Sequence, residues 1–291
     1  MSERGNATGT RGALRLRGRE LPWGARTYVM GIVNVSPDSF SGDGDPDAAS
    51  AAARALEQQR DGADLIDVGA ESTRPGHAPI DETIERERLI PALRAIRTAV
   101  PDAILSVDTF KPRLFAEAHA AGGDLLNSIW GAPPELVDAA AAANAPIVVM
   151  HNKAVAVYER DVVDEVLQWL DDAAARCVRA GIPPEHVILD PGIGFGKLPE
   201  HNLTLLGRLD RLVALGFPTL IGTSRKSTIG KLTGREPRAR EFGTAATVAL
   251  AIAAGIDVVR VHDVDEQTDV VRVTDAIVRG WRPAGWTERL P

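Results

Sequence analysis

Eight short apolar runs are spaced along the chain after an irregular start. Each run is almost continuously apolar, which is typical of a parallel strand buried on both faces of a sheet. The runs cover residues 27–33, 63–69, 103–107, 124–130, 146–150, 186–190, 218–222 and 257–261. They predict eight parallel β-strands.

Between these runs, apolar residues recur with the i, i+3, i+4 spacing of amphipathic helices. The clearest segments are 47–59, 82–99 and 161–180. Strand and helix alternating eight times predict an α/β fold, the (β/α)₈ TIM barrel. A doubly wound open sheet is the alternative, but it needs a G-x-G-x-x-G turn after an early strand, and no early run is followed by one.

The chain divides into a short extension and one large domain. Residues 1–26 precede the first strand, and segment 14–27 alternates apolar and polar residues, which predicts a hairpin covering the barrel floor. Residues 27–291 form the barrel domain. At about 150 residues per domain the length would nominally give two domains, but TIM barrels reach about 250 residues as one unit.

The net charge and the cysteine content restrict the possible binding partners and the cellular compartment. The 33 Lys and Arg residues against 40 Asp and Glu give a formal charge of −7, which argues against nucleic acid or an anionic membrane as partner. Cys177 is the single cysteine, so a reducing compartment, the cytoplasm, is expected. The apolar run 245–256 is shorter than the ~20 residues of a membrane span, and the Arg-rich start lacks the apolar region of a secretory signal.

All eight predicted strand ends carry polar or charged residues. In a TIM barrel the reactive site lies at the carboxyl ends of the strands. One such residue is usually a helix cap or a surface ion pair, but eight together predict a functional site at that end of the barrel.

The first group at the strand ends consists of inward-pointing polar residues, namely Asp108, Asn127, Asp190 and Lys226. Unpaired carboxylates are costly to bury there. A flat heterocycle with N–H donors on one edge and acceptors on another would satisfy them, with Met150 or Phe195 packing on its faces. The alternative is a buried Asp108–Lys226–Asp190 network with a structural role only.

The second group is cationic or hydroxyl-bearing and consists of Asn34, Ser72, Thr73, Arg74, Arg225, Ser227, Arg260 and His262. The arginine guanidinium matches phosphate oxygens, and the glycine-rich loops after the sixth and seventh strands offer backbone N–H groups to an anion. This group predicts phosphate binding beside the heterocycle site.

Three familiar motifs are excluded. Segment 192–197 (GIGFGK) is not a Walker A loop, because that motif needs Gly where Pro191 stands and a hydroxyl where Leu198 stands. No H-E-x-x-H pattern is present, which argues against a zinc hydrolase, and no G-x-S-x-G pattern, which argues against a serine hydrolase.

Six segments, taken in order, resemble the signature sequences of the dihydropteroate synthase family of pterin-binding enzymes. They lie at 31–41, 62–76, 106–111, 190–197, 222–227 and 260–264, and the resemblance extends from about residue 27 to 279. The most specific are STRPG, DPGIGFGK, SRKS and RVHD. Together they indicate membership of that family.

The resemblance implies a homodimeric barrel that uses Mg²⁺. Its reaction joins 6-hydroxymethyl-7,8-dihydropterin diphosphate to p-aminobenzoate, giving 7,8-dihydropteroate for folate biosynthesis and pyrophosphate. By position, Asn34, Lys226, Arg260 and His262 would be catalytic, and Asn34 would also bind Mg²⁺.

The resemblance also divides the substrate-binding residues between two ligands. The pterin edges would be held by Asp108, Asn127, Asp190 and Lys226, with Arg260 against the ring face. Asn34, Arg260 and His262 would hold the diphosphate. The aminobenzoate site would be formed by Thr73, Arg74, Phe195 and Ser227.

Such a reaction depends on the leaving group. Departure of diphosphate from the pterin CH₂ can precede attack by the amine, so neutralising the developing negative charge is the main task. A neutral aromatic amine is already nucleophilic, and no general base is assigned.

Three departures from the family pattern keep alternatives open. Ser128 follows Asn127 where the family usually has Asp, residues 150–152 read MHN, and segment 41–44 (SGDG) places Asp43 one position late. One alternative is a divergent homologue that binds pterin diphosphate with weak or no synthase activity. The other is a pterin-dependent methyltransferase, which passes a methyl group from a folate to a corrinoid.

Overall fold

The computed structural model describes residues 12–36, 47–71 and 80–287. A two-stranded antiparallel hairpin, β1 (Ala13–Leu16) and β2 (Arg19–Pro22), comes first. The eight barrel strands follow: β3 (Tyr28–Asn34), β4 (Leu65–Gly69), β5 (Ile104–Asp108), β6 (Leu125–Ser128), β7 (Ile147–Met150), β8 (Val187–Asp190), β9 (Leu220–Ile221) and β10 (Val258–Val261). Each predicted apolar run overlaps one of them, with β3 and β5 each ending one residue later than predicted.

The eight strands form a closed parallel barrel. Hydrogen-bonded neighbours follow the order β8-β7-β6-β5-β4-β3-β10-β9. A parallel bridge between Leu189 and Thr219 joins the two ends of this order, and the Leu189 N–H donates to the Pro218 carbonyl at 2.8 Å. The predicted TIM barrel is confirmed.

Ten helices within the described residues surround the barrel. They are α1 (Ala48–Asp61), α2 (Glu82–Ala99), α3 (Pro112–Ala120), α4 (Pro134–Ala142), α5 (Val162–Arg179), α6 (Pro199–Leu206), α7 (Leu209–Val213), α8 (Ser227–Thr233), α9 (Glu241–Ala254) and α10 (Val264–Val278). The three helices predicted most clearly from periodicity are α1, α2 and α5. Over the described ranges, no helix combines the length and apolarity of a bilayer span.

Side-chain capping explains where the predicted helices begin. The Asp47 carboxylate accepts hydrogen bonds from the Ala49 and Ser50 N–H groups, both at 2.9 Å. Asp161 accepts from the Val163 N–H at 2.9 Å. Each cap satisfies N–H groups that have no partner inside the helix, so the aspartates fix the first turns of α1 and α5.

The predicted hairpin seals the amino-terminal end of the barrel. Leu14, Leu21 and Trp23 are buried against the first inward-facing residue of each barrel strand. The Trp23 indole donates to the Glu185 carbonyl at 2.9 Å, and its ring meets Tyr28 edge to face at 5.9 Å. The floor is therefore apolar and closed, and the site lies at the opposite end.

Candidate active site

The described site residues predicted from the sequence share one cavity of about 440 Å³ at the carboxyl ends of the barrel strands. Its lining includes Asn34, Asp108, Asn127, Met150, Asp190, Phe195, Lys226, Ser227, Arg260 and His262. Thr73 and Arg74, like Ser72 and Asp43, lie outside the described residues. The prediction that two polar groups meet at one end of the barrel is confirmed for the described members, while their individual roles stay predictions.

Asp67 holds the polar interior of the barrel together. This carboxylate is fully buried on β4. It accepts hydrogen bonds from Arg260 Nε at 2.7 Å, Asn127 Nδ2 at 3.0 Å and Ser106 Oγ at 2.5 Å. One carboxylate therefore fixes both an arginine and an amide that were predicted to meet the substrate.

Arg260 is a fixed positive charge inside the barrel. Burial is the largest influence on its pKa and lowers it, but the carboxylates of Asp67 and Asp108 outweigh burial and raise the pKa. Arg260 Nη2 lies 2.6 Å from Asp67 Oδ2 and 3.4 Å from Asp108 Oδ2. The guanidinium is thus charged and held in one orientation before any ligand binds.

Asp108 is the least satisfied carboxylate in the cavity. Burial raises its pKa, the neighbouring charge of Asp67 raises it further, and Arg260 opposes both. The buried Oδ1 atom of Asp108 has no hydrogen-bond partner among the described residues. An orphaned polar atom facing a cavity is costly unless a ligand forms a hydrogen bond with it, so Asp108 marks where a polar group of a ligand belongs.

Asp190 is a second buried carboxylate, at the end of β8. Burial raises its pKa to about 6, although a hydrogen bond from the Gly192 N–H and the positive charge of Lys226 oppose the shift. The Gly192 N–H donates to Asp190 Oδ1 at 2.7 Å. At neutral pH Asp190 is mostly ionised and accepts hydrogen bonds.

The glycine-rich loop after β8 places an aromatic ring under a lysine. Lys226 Nζ lies 3.9 Å from the centre of the Phe195 ring, a cation–π contact. Gly194 adopts φ +82, and a Cβ there would lie 2.9 Å from Lys226 Cδ. The positive φ favours glycine at this position, and the lack of a side chain leaves room for Lys226 beside the ring.

Lys197, which had no role predicted from the sequence, contacts backbone carbonyl oxygens of this loop and of the residue after β7. Its Nζ lies 3.1 Å from the Phe195 carbonyl oxygen, 3.3 Å from the His151 carbonyl oxygen and 3.0 Å from His151 Nδ1. Burial lowers the pKa of Lys197 to about 7. Burial, with the positive charges of Lys197 and Lys153, lowers the pKa of His151 to about 3. His151 is therefore neutral at neutral pH, so its Nδ1 can accept a hydrogen bond from Lys197.

Arg225 was grouped with the anion-binding cations, and the structure gives its guanidinium a carboxylate partner. Arg225 Nε lies 3.1 Å from Asp263 Oδ2, and its Nη2 contacts the second oxygen. Arg225 lines the cavity, but its charge is paired with Asp263. The ion pair bridges the loops after β9 and β10, and anion binding by Arg225 stays a prediction.

A buried charge cluster lies beside Glu71, which lines the cavity. Lys111 Nζ contacts Glu71 Oε2 at 2.7 Å, the Ile80 carbonyl at 3.0 Å and the carboxylate of Glu85. The Ile80 N–H donates to Glu71 Oε1 at 3.1 Å. These contacts join the two described residues that flank segment 72–79. Glu71 was noted from the sequence as a polar residue after the second strand, whereas Lys111 and Glu85 were assigned no role.

The departure at Ser128 lies away from the cavity. The side chain of Ser128 donates to the Gly131 carbonyl, whereas Asn127, one residue earlier, faces the cavity. The carboxylate beside Asn127 is supplied by Asp67. Serine at position 128 therefore removes no acceptor from the described lining.

Comparison with known proteins agrees with this geometry. The family model "Pterin binding enzyme" matches residues 30–262. A dihydropteroate synthase from Synechocystis sp. is 42% identical over 270 residues, covering 89% of this chain and 92% of the relative.

Solved structures show the same likeness in three dimensions. Dihydropteroate synthase from Xanthomonas albilineans, solved with 4-aminobenzoic acid, superposes with a TM-score of 0.85 at 41% identity, covering 91% of this chain and 97% of that one. The Thermus thermophilus enzyme in complex with 6HMPPP gives a TM-score of 0.79 at 42% identity, covering 91% and 99%. The chain therefore belongs to the dihydropteroate synthase family of pterin-binding enzymes.

Proposed function

We propose that this protein condenses 6-hydroxymethyl-7,8-dihydropterin diphosphate with p-aminobenzoate, releasing pyrophosphate and forming 7,8-dihydropteroate. The observation that carries the proposal is the orphaned, buried Oδ1 of Asp108 in the same cavity as Asp190, Arg260 and His262. The cavity thus offers acceptors for a nitrogen-rich ring and positive charge for an anionic substituent.

The pterin binds deepest, across the acceptors of the strand ends. Asp190 is mostly ionised at neutral pH, and its carboxylate takes ring N–H donors. Asp108 Oδ1 takes another donor, and Asn127, fixed by Asp67 at 3.0 Å, presents its amide to an opposite edge. Met150, which lines the cavity, packs on a ring face.

The diphosphate lies nearer the mouth, against Asn34, Arg260 and His262. Since Asp67 holds Arg260 in place, its charge needs no rearrangement as the leaving group becomes more negative. Preorganised charge of this kind stabilises a transition state more than the ground state. The bond between the pterin CH₂ and the diphosphate oxygen breaks and leaves an electrophilic CH₂. The amine nitrogen then bonds to this carbon and releases one proton to give the neutral product.

The aminobenzoate site lies at Phe195 and Ser227, while Lys226 belongs to the pterin edge. The Phe195 ring offers a flat apolar surface, and the Ser227 hydroxyl offers a group for the carboxylate. A relative that is 41% identical was solved with 4-aminobenzoic acid, which supports this molecule as the second substrate. Thr73 and Arg74 complete the proposed site.

Magnesium is proposed to accompany the diphosphate. Within the described residues, no three His, Cys, Asp or Glu side chains cluster into a metal cage. Mg²⁺ commonly keeps several waters and binds few protein oxygens together with substrate phosphates, so the single amide oxygen of Asn34 fits such an ion. When bound, it supplies positive charge to the leaving group. Chelation with EDTA is expected to reduce turnover without changing the affinity for a pterin that lacks the diphosphate.

A homodimer is proposed in which α9 and α10 form the interface between subunits. Within the chain these two helices pack against each other. Both helices expose large apolar side chains, namely Phe242, Leu250, Val273 and Ile277, which are 84, 65, 61 and 79% exposed. Exposed apolar surface of this kind marks interaction sites. Light scattering of the purified protein tests the proposal, with Phe242→Glu expected to give monomers.

The cytoplasm is proposed as the location of the protein, since Cys177 is a buried free thiol.

The reaction is tested by measuring pyrophosphate release with both substrates. Release that depends on p-aminobenzoate, with 7,8-dihydropteroate as the second product, supports the proposal. Omission of p-aminobenzoate is the control for simple hydrolysis. Tight binding of the pterin diphosphate without any turnover would contradict it and favour the divergent binding protein.

A further inference from the structure

Ser224 and His262 form a side-chain pair at the ends of two neighbouring barrel strands. Ser224 follows β9 and His262 follows β10, and the two strands are hydrogen-bonded to each other. Ser224 Oγ lies 2.9 Å from His262 Nδ1 and 3.2 Å from the His262 backbone nitrogen. Ser224 is 4% exposed, and both residues line the cavity.

The hydrogen bonds of Ser224 favour one tautomer of His262. The backbone N–H of His262 is always a donor, so Ser224 Oγ accepts from it. A hydroxyl has one proton to donate, and within the described ranges Nδ1 of His262 is the acceptor in reach. If Nδ1 carried a proton instead, the buried hydroxyl of Ser224 would lose that acceptor, which is unfavourable. The satisfied arrangement puts the imidazole proton on Nε2.

The adjacent residues hold this pair in register. Arg225 and Asp263, one position further along each loop, form an ion pair with Nε to Oδ2 at 3.1 Å. Asp263 stands at the N-cap of α10 but makes no side-chain capping bond, because its carboxylate contacts Arg225 instead. The usual side-chain cap of the helix is thus replaced by an ion pair that joins the two loops.

The backbone of Arg225 is also fixed. It adopts φ +58, a left-handed conformation that non-glycine residues adopt rarely. Its N–H donates to Thr244 Oγ1 at 3.2 Å, and its carbonyl accepts from Arg240 Nη1 at 2.8 Å. Such conformations persist where surrounding contacts enforce them, and they concentrate at functional sites. The Ser224 hydroxyl is therefore placed by its neighbours.

We propose that Ser224 is a positioning residue, aligned by the Arg225–Asp263 ion pair, that fixes His262 in the Nε2–H tautomer for donation to the diphosphate. This inference rests on the proposed function. His262 then binds the leaving group as a neutral hydrogen-bond donor and transfers no proton. Which nitrogen of a histidine faces a ligand is set by the partner of the other nitrogen, and here that partner is Ser224.

The tautomer is measured in the ligand-free protein by ¹⁵N NMR of labelled histidine at about pH 8, above the ordinary histidine pKa. His262→Gln identifies the signal by its loss. The expected spectrum shows a protonated Nε2 and an unprotonated Nδ1. Ser224→Ala is expected to shift the population toward Nδ1–H, and Ser224→Thr, which keeps the hydroxyl, to restore it. A protonated Nδ1 in the parent protein, or an unchanged spectrum in Ser224→Ala, overturns the proposal.

Kinetics of the same variants test whether the tautomer serves the reaction. Ser224→Ala is expected to lower kcat about tenfold with the KM for p-aminobenzoate unchanged, since it weakens stabilisation of the leaving group. Ser224→Thr is expected to recover most of the rate, and Thr98→Ala, a hydroxyl deletion on α2, to have no effect. An unchanged kcat in Ser224→Ala, despite a shifted tautomer, contradicts the proposed role.

A second variant guards against misfolding of Ser224→Ala. Asp263→Asn keeps the shape of the side chain but weakens its pairing with Arg225, and it is expected to give a smaller tautomer shift in the same direction. No shift in a folded Asp263→Asn protein contradicts the alignment by the ion pair. The NMR result does not depend on turnover, so an inactive parent protein with the Nε2–H tautomer would refute the proposed function and not the pairing.

Discussion

The two ends of the barrel use the same strands for opposite purposes. At the amino-terminal end the inward positions are apolar and packed under the hairpin, as the buried cluster of Tyr28, Leu65, Ile104, Leu125, Val148, Ile188, Leu220 and Val258 shows. At the carboxyl end the inward positions become Asp67, Asp108, Asn127, Asp190 and Arg260.

The change takes place within single strands. On β4 the inward side chain changes from Leu65 to the buried Asp67 two residues later, and on β5 from Ile104 to Asp108. Side chains two apart in a strand face the same side, so three residues of β4 and five of β5 contain both floor and site. The floor supplies burial energy, whereas the site holds buried charge that costs stability unless it is paired. Floor and site variants should therefore separate stability from activity.

The largest effect is expected from Arg260→Ala, which should lower both kcat and the free energy of unfolding. Removing one preorganised donor typically costs about 10²–10³ in kcat. The same change leaves the buried charge of Asp67 without its main partner, which costs about 3–5 kcal/mol in the free energy of unfolding. Steady-state kinetics and urea denaturation measure the two effects. The KM for p-aminobenzoate should change far less than kcat, and an unchanged kcat would refute the role of Arg260.

Trp23→Ala should lower the stability of the protein without changing its activity. The side chain is 5% exposed, and truncating a buried Trp costs about 3–5 kcal/mol in the free energy of unfolding. Because the floor lies at the other end of the barrel, kcat/KM measured well below the melting temperature should match the parent protein. Trp286→Ala, at a 60% exposed position, is the matched control for stability. A large fall in kcat/KM for folded Trp23→Ala would show that the two ends are coupled.

Asp190→Asn should weaken pterin binding. Hydrogen bonds to a charged group contribute about 1.5–3 kcal/mol, and an amide offers fewer acceptor sites than a carboxylate. Calorimetry with a pterin lacking the diphosphate avoids titration of the ligand phosphates. The pKa of Asp190 is raised to about 6, so the parent protein should lose affinity as pH falls below 6, whereas Asp190→Asn should not show this loss. Equal affinities at pH 7 would rule out the assignment.

Asp108→Asn should give the smallest effect, a gain in stability that depends on pH. The folded protein raises the pKa of Asp108, so folding disfavours its ionised form. Stability from this group is present below its unfolded pKa and is lost as pH rises through its folded pKa. The variant removes that penalty, and its advantage should grow from about pH 4 to pH 9, reaching about 1 kcal/mol or more. Urea titrations that show the opposite trend would contradict the burial argument.

The sequence was sufficient for the fold because the strands are continuous apolar runs. Their ends differ where a local contact intervenes. The predicted strand 124–130 ends at Ser128, whose hydroxyl binds the Gly131 carbonyl, and Gly131 adopts φ +84. The run 218–222 keeps only Leu220 and Ile221 as a strand, with Thr219 forming the closing bridge.

The site was only partly predictable, since residues at strand ends were considered and residues inside strands were not. Asp67 lies in the middle of β4, and its link to Arg260 spans 193 residues of sequence, so its partner depends on the register of the closed barrel. A charged residue in an otherwise apolar strand was the available signal. Lys197 and Lys111 carried no comparable signal, because their contacts with His151 and Glu85 arise from tertiary packing of segments far apart in the sequence.

The most direct test of the central claim is a crystal structure of this protein with 6-hydroxymethyl-7,8-dihydropterin diphosphate. The predicted result has the ring in the barrel, with N–H groups donating to Asp190 and Asp108, and the diphosphate nearer the mouth beside His262 and Asn34. A ring bound outside the strand ends, or a diphosphate buried against Asp108, would contradict the account.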